Sequence, residues 1–450
     1  MLGPQLESSV TVGGRPIRNR LYRAPLLECA GNGPEAVETL IDELEPAAAS
    51  GAGLIHQGAT IVREAGGCAA PGMTRVADSG FVERLEELTE AVHAHGSAIA
   101  IQLEYGGLRS MEVWHAGYRR SNPGLEQLVV SRPPWILRSL DRVGFLDLNP
   151  RVMDTDEVEA LAADFGRAAA RAVEAGYDMI HLAGANMGII QQFLSPFYNR
   201  REDEFGIDPE VGSGVRFLER VHEEIRDRAG DVPLITKVPS EAAAPAPLQP
   251  RLSDADAIRT AARLDSIGYD GVVPVRCSVF WDMSIVRGAF PARAWRDPTL
   301  KEGYREAFGS RTRATAVAAG NWLQSRRYDR EPGWNADLAR RVRSRVDIPV
   351  FLEGGLRERA ELDSYLGDAA DLVGMGRPFY AEPRLPARLL DGPADTRAVC
   401  EDCNNCAVAQ AAGASGNCRT PSVLEEAGAL RKRGAYDRTG NERDDGDPTE

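Results

Sequence analysis

Eight short apolar runs recur along the chain, and an amphipathic helical stretch separates most of them. That count limits the fold more than any other feature. The expected strands are 21–25, 53–57, 98–103, 178–183, 233–238, 271–275, 348–352 and 370–374. Between them, segments 35–50, 82–95, 157–176, 213–229, 254–267, 335–345 and 357–366 place apolar residues at a spacing near 3.6, the period of a helix with one buried face. Eight β/α units is the arithmetic of an α/β TIM barrel; a doubly wound sheet usually shows fewer strands and an early glycine-rich turn. No G-x-G-x-x-G follows a strand, so a dinucleotide-binding domain is not expected. The barrel is expected over 1–395.

Two connections are far longer than the few residues that usually join a strand to its helix, namely 104–155 after the third strand and 276–333 after the sixth. Each follows the C-terminal end of a strand, where barrel enzymes build their active sites. Trp114, Trp135, Trp281, Trp295 and Trp322 lie inside these loops, with Trp334 at the edge of the second. They would either wall a water-excluding pocket or anchor the loops to the barrel or to a second copy in a homo-oligomer. With 43% hydrophobic residues the chain can bury a large core, while a net charge of −14 argues against a nucleic-acid or anionic-membrane surface. No secretion signal and no apolar run of about 20 residues is apparent, so a cytoplasmic location is expected.

Four of the seven cysteines, Cys400, Cys403, Cys406 and Cys418, fall in one C-x2-C-x2-C-x11-C segment. Three thiolates on a short loop and a fourth brought back by a turn can hold the corners of a [4Fe–4S] cube, which carries single electrons. Zinc also accepts four thiolates, but more often from two separated C-x2-C knuckles. Residues 396–425 are therefore expected to form a cluster-binding segment, and the charged stretch 426–450 a disordered tail.

Placed on a barrel, Gln102, Asn186, Lys237, Gly354, Gly355, Gly376 and Arg377 gather at one mouth. Glycines after the last two strands let backbone N–H groups approach a phosphate, and Arg377 adds a bidentate cation. With an adjacent iron–sulfur cluster, FMN is the expected occupant, because it takes a hydride and releases electrons singly.

Several segments carry a specific resemblance. They are Asn19-Arg20-Leu21-Tyr22-Arg23-Ala24-Pro25, Gly51-Ala52-Gly53-Leu54-Ile55-His56-Gln57-Gly58-Ala59, Ala91-Val92-His93-Ala94-His95-Gly96 with Gln102-Leu103, Gln192-Phe193-Leu194-Ser195-Pro196 with Asn199-Arg200-Arg201 and Asp203-Glu204-Phe205-Gly206, Ile348-Pro349-Val350 with Gly354-Gly355, and Asp371-Leu372-Val373-Gly374-Met375-Gly376-Arg377-Pro378. Over about residues 5–390 the chain resembles the Old Yellow Enzyme family of FMN barrels. The cysteine spacing is similar to that of its iron–sulfur branch, which includes trimethylamine dehydrogenase and 2,4-dienoyl-CoA reductase. The resemblance implies that Ala24, Pro25, Leu26 and Leu27 line the flavin, with Gly58, Ala59 and Gln102 near its pyrimidine edge. Lys237 would stand where the family usually has arginine, stabilising negative charge on the reduced ring. Gly354, Gly355, Gly376 and Arg377 would hold the phosphate.

The pattern breaks at Ala183-Gly184-Ala185-Asn186-Met187-Gly188, which aligns with the family's His-Gly-Ala-His/Asn-Gly-Tyr. Asn186 keeps a hydrogen-bonding amide, but Gly188 stands in place of the proton-donating tyrosine. Ordinary enone reduction would lack its general acid unless another group enters; the candidates are Tyr105, Arg276, Cys277 and tyrosines around the sixth strand, and His181, which is more often a hydrogen-bonded core histidine. Cys29 is close to a flavin-contacting cysteine of some members, although Leu27 aligns with that position. The large iron–sulfur members continue into a nucleotide-binding half. This chain would then exchange electrons with a separate ferredoxin or flavoprotein, or NAD(P)H would reach the flavin directly. The expected activity is oxidoreduction of a small organic substrate by hydride transfer at the flavin. Oxidation of an amine C–N bond and a non-catalytic electron-transfer role are the alternatives.

Overall fold

A strand buried on both faces must be apolar throughout, and the eight runs behave accordingly. The computed structural model describes residues 5–242, 250–279 and 282–437. The barrel strands are β1 (Leu21–Arg23), β2 (Leu54–Ile61), β3 (Ala98–Glu104), β4 (Met179–Leu182), β5 (Leu234–Ala242), β6 (Gly271–Ser278), β7 (Phe351–Glu353) and β8 (Leu372–Met375). All eight lie in one parallel sheet in the order β6-β5-β4-β3-β2-β1-β8-β7. A parallel bridge between Val272 and Val350 joins its two ends, so the sheet closes on itself. The chain forms the expected TIM barrel. The seventh strand starts later than expected because Pro349 cannot donate to a ladder.

Tyr22, Leu54, Ala98, Ala100, Met179, Ile235, Val273, Phe351 and Leu372 fill the barrel interior. An antiparallel hairpin, Val10–Val12 with Arg15–Ile17, adds Val12 and Ile17 to the same cluster and so stoppers the N-terminal end of the barrel. Helices pack outside. Thr155–Glu174 starts at a reciprocal cap in which Asp154 accepts from the Glu157 N–H and the Glu157 side chain accepts from the Asp154 N–H. Asp254–Ile267 begins with the equivalent Ser253/Asp256 pair and stops at Gly268, whose φ of +96° suits glycine.

The two long connections fold into short elements at the C-terminal mouth. The first contains helices Met111–Trp114, Ala116–Ser121 and Trp135–Arg142, with a small parallel pairing of Gln127–Val129 and Pro150–Val152. The second contains Ala292–Arg296, Lys301–Phe308 and Arg311–Ser325. The expected disordered tail needs correction over its first part. Pro421–Lys432 is helical, and Val423 and Ala427 are buried against Ala381 and Val399, while Tyr436 donates to Glu382 at 2.9 Å. Residues 438–450 of that expectation lie outside the described residues.

Two imidazoles sit in the dry interior. His56 and His181 are fully buried with ring centroids 4.9 Å apart. Burial, reinforced by the Lys237 charge, pushes His56 down to about 3, and His181 is also pushed well below the usual range. Both are neutral in the folded protein. A histidine depressed on folding binds more protons when unfolded, so its contribution is complete above the ordinary value of 6.5 and is lost as pH falls towards 3. Urea denaturation between pH 7 and pH 4 should therefore show stability falling with acid, and His56→Asn should flatten part of that slope.

Candidate active site

Because all eight strands are parallel, their C-terminal ends meet at one mouth, and a cavity of about 700 Å³ opens there. Its floor takes Ala24, Pro25, Leu26 and Leu27 from the turn after β1, Ala59 from β2, Gln102 and Glu104 from β3, Lys237 from β5 and Glu353 from β7. Ala183, Ala185 and Asn186 enter from the turn after β4, and Gly354, Gly355, Gly376 and Arg377 from the turns after β7 and β8. The two long loops supply apolar walls. Trp114 and Phe145 come from the first, and Trp295, Phe308 and Trp334 from the second or its edge. Helix Arg311–Ser325 turns Ala316, Val317, Gly320, Asn321 and Gln324 towards the cavity, a spacing that fits one helical face. Trp135 and Trp322 lie more than two-fifths exposed on the outside, so the tryptophans divide between wall and surface. Trp281 lies outside the described residues.

The polar floor is held by specific pairs. Lys237 Nζ lies 2.5 Å from Glu353 Oε1, and both side chains are mostly buried. This cation is therefore partly neutralised at home. Gln102 Nε2 stands 3.4 Å from His181 Nε2 beneath the floor. Asn186 and Met187 both take left-handed backbone, at φ of +63° each, a strained turn that stays put because Gln191 accepts from the Met187 N–H at 2.6 Å.

Three of the expected site residues stand away from the cavity wall. The Tyr105 ring is packed beneath the Arg63 guanidinium, 5.5 Å from its centroid, and burial raises its phenol to about 12. His181 is buried inside the barrel below Gln102. Gly58 sits at the irregularity in β2 between Gln57 and Ala59, where its N–H donates to Glu28 at 2.9 Å. A Cβ at that position would fall 1.3 Å from the Leu26 carbonyl oxygen. The glycine lets the turn after β1 cross over β2 and does not itself line the cavity.

A phosphate-sized anion would meet a cluster of guanidinium groups. Arg357, three residues beyond Gly354, lines the cavity with its side chain buried, and among the described residues its Nε has no hydrogen-bond partner. Sequence reasoning passed over it, although the strand-end run Gly354-Gly355-Leu356-Arg357 carried the signal. Arg377 Nη2 lies 3.1 Å from Asp402 and 2.8 Å from the Arg287 carbonyl, and its other arm donates to Asn404. Arg330 reaches the same Asp402 carboxylate at 3.3 Å, and Arg357 pairs with it too. Arg330 is also paired with Glu361 at 3.2 Å, so three guanidinium groups face two carboxylates, and the single positive charge left over suits a phosphate. Gly354 and Gly355 have φ of +119° and +73° and lie against Trp334.

The cysteine segment forms part of the cavity wall. Ala407 and Val408, which follow Cys406, line it together with Gln410 and Ala411. The Gln410 amide donates to the Leu27 carbonyl at 2.7 Å, and the Tyr380 hydroxyl donates there at 2.9 Å. Between the cysteines, Asp402 and Asn404 adopt left-handed backbone at φ of +57° and +58°, which turns the chain tightly. Burial pushes the Cys406 thiol up to about 12, Arg377 opposes this, and Cys400, Cys403 and Cys418 add to it. The four thiols thus lie within electrostatic reach of one another. Among the described residues, no three Cys, His, Asp or Glu side chains converge as ligands of a single metal ion. Cys29 and Cys68 are pushed up to about 12 and about 11, chiefly by burial, so neither is a ready thiolate.

Comparison with known proteins points the same way. The profile of the NADH:flavin oxidoreductase / NADH oxidase family matches residues 6–303. The chain is 27% identical over 404 residues to the NADH oxidase of Thermoanaerobacter brockii, covering 89% of this chain and 53% of that protein. It is 28% identical to the NADPH dehydrogenase of Geobacillus thermodenitrificans, covering 78% of this chain and 98% of that one. The chain spans about half the length, or less, of the first curated relatives it matches. Among solved structures it is similar in fold to histamine dehydrogenase from Rhizobium sp. 4-9, with TM-score 0.67 and 21% identity over 94% of this chain and 53% of that one. Morphinone reductase gives TM-score 0.61 and 21% identity over 87% and 91%.

Gly58→Ala tests the reading of the β2 crossover. The substitution should destabilise the protein by about 3 kcal/mol or more in chemical denaturation, since the contact it creates is with backbone. A stable variant with altered ligand binding alone would contradict it.

Proposed function

As a member of the NADH:flavin oxidoreductase / NADH oxidase family the chain is a flavin-dependent oxidoreductase, and we propose that it binds FMN in the cavity and a [4Fe–4S] cluster at Cys400, Cys403, Cys406 and Cys418. The observation that carries this reading is the shared wall: the thiol-bearing segment lines the cavity in which the strand-end residues gather.

Arg357 and Arg377 would hold the phosphate, with the backbone of Gly354, Gly355 and Gly376 beside it. The unpartnered buried Nε of Arg357 fits that role. Ala24, Pro25 and Leu26 offer an apolar face to a planar ring, and Gln102 and Lys237 offer donors to its polar edge. A bound flavin supplies hydride chemistry to substrate and single-electron chemistry to an acceptor. Lys237 would stabilise negative charge on the reduced ring, with Glu353 setting how much of its charge is available. The Trp114, Phe145, Trp295 and Phe308 walls exclude water and favour a bulky, largely apolar organic substrate. Asn186 would hold a carbonyl oxygen by hydrogen bond.

Four thiols in one segment, within electrostatic reach of one another, support the cube reading. Electrons would leave through the thiol segment to a ferredoxin or flavoprotein, and NAD(P)H is the external reductant that the relatives' names suggest. Oxidation of an amine C–N bond is the second reading. It is favoured by 24% identity over 413 residues to dimethylamine dehydrogenase from Hyphomicrobium and by aromatic walls able to face a cation. Anaerobic mixing of oxidised protein with a secondary amine, against reduced protein with an enone, separates the two.

Protein purified anaerobically should contain one FMN and four irons per chain. Cys403→Ala should lose the iron and keep the flavin, because the phosphate-holding turns lie on other strands. Metal analysis that finds stoichiometric zinc without iron would overturn the cluster assignment.

A further inference from the structure

The cavity contains a carboxyl group for which the residues aligned above give no role. Glu104 is the last residue of β3 and two beyond Gln102, so its side chain emerges on the same side of the strand, towards the cavity that both line. Its side chain is 3% exposed. A methyl group placed on Gly188 would stand 3.0 Å from Glu104 Oε1. The carboxyl thus lies just beyond the position where the turn after β4 offers no side chain, in the cavity shared with Asn186. Asn186 can hold a carbonyl oxygen but has no acidic proton, and Tyr105 and His181 lie off the cavity wall.

We propose that Glu104 is the general acid of this active site, delivering a proton to the substrate carbon next to the one that receives hydride. The proposal rests on the flavin reading above. In the reductive direction the substrate C=C π pair forms the new C–H bond at that carbon, the Glu104 O–H bond breaks, and its electron pair stays on the carboxylate. Hydride adds to the neighbouring carbon, and solvent returns the proton to Glu104 afterwards.

The charged and titratable groups facing Glu104 fit this role. Arg109, on the turn after β3, lies 3.3 Å from Oε1 and favours the anion. Lys237 on β5 acts in the same sense but is paired with Glu353 on β7. Cys68, on the segment packed against the same end of β3, has its thiol pushed up by burial and is uncharged. Burial outweighs the two cations and raises the Glu104 carboxyl above the ordinary range. An acid shifted in that direction keeps its proton closer to neutral pH, where it is useful.

The test uses purified flavin-loaded protein, reduced anaerobically and mixed with cyclohexenone. Glu104→Gln should slow flavin reoxidation by roughly 10²- to 10⁴-fold, the usual contribution of a positioned acid. In the native protein the rate should fall as pH rises through the Glu104 titration, since only the protonated form donates. Arg109→Gln should move that limb to higher pH, and Glu104→Asp, which keeps the acid, should retain the limb. The infrared band of a protonated carboxylic acid supplies a readout independent of turnover. Glu43 and Glu241, raised to about 8 and about 7, contribute to the same band, so the Glu104 part is read as the difference between the native protein and Glu104→Gln, and it should disappear over the same pH range as the rate. Reoxidation at the native rate in a Gln variant with normal flavin content and thermal stability would overturn the proposal, as would a limb unmoved by Arg109→Gln. Protein that binds no flavin would instead overturn the functional reading, while the infrared titration would still report whether Glu104 holds a proton.

Discussion

The Asp402 carboxylate, enclosed by Arg330, Arg357 and Arg377, fastens the C-terminal segment to the barrel. Arg357 and Arg377 follow β7 and β8, and Asp402 stands between Cys400 and Cys403, so one ionic cluster connects the expected phosphate site with the thiols. A buried charge is costly unless paired and hydrogen-bonded, and breaking such a network is more damaging than removing a surface ion pair. Arg330 also pairs with Glu361, so the three guanidinium groups exceed their two carboxylates by one charge. A phosphate at Arg357 and Arg377 would take up that excess. The Gln410 and Tyr380 bonds to the Leu27 carbonyl fix the same segment from the opposite side.

Around this anchor the chain separates a dry interior from a reactive mouth. The N-terminal hairpin and the Tyr22, His56, His181 and Phe351 rings fill the barrel below. Above them, the Lys237–Glu353 pair and the Glu104–Arg109 pair place both signs of charge at the floor of an apolar cavity. Burial in the dry interior, with a smaller contribution from the Lys237 charge, pushes the two histidines below their ordinary range.

Much of the architecture was legible because strands buried on both faces have to be apolar and because helices carry caps such as Asp154 and Ser253. All eight strands and the seven expected helices form close to their expected positions. Side-chain direction was harder to read. Tyr105 looked suitable from its place in the chain, yet one residue earlier the strand period already points Glu104 into the mouth and Tyr105 away from it. Arg357 was passed over although it closely follows Gly354-Gly355, because its pairing with Asp402, 45 residues on, cannot be read from the local run. Gly58 was misleading in another way, since its close approach is to backbone. The tail helix Pro421–Lys432 has only Val423 and Ala427 buried along its length, too sparse a pattern to stand out from a charged stretch.

The central claim is that two redox centres share one wall of one cavity. Anomalous diffraction at the iron absorption edge, from crystals grown anaerobically, tests it most directly. The account predicts a compact four-iron peak bounded by Cys400, Cys403, Cys406 and Cys418, and flavin density in the cavity between Ala59 and Lys237 with its phosphate at Arg357 and Arg377. A lone zinc peak at the cysteines, or flavin bound away from that wall, would contradict it.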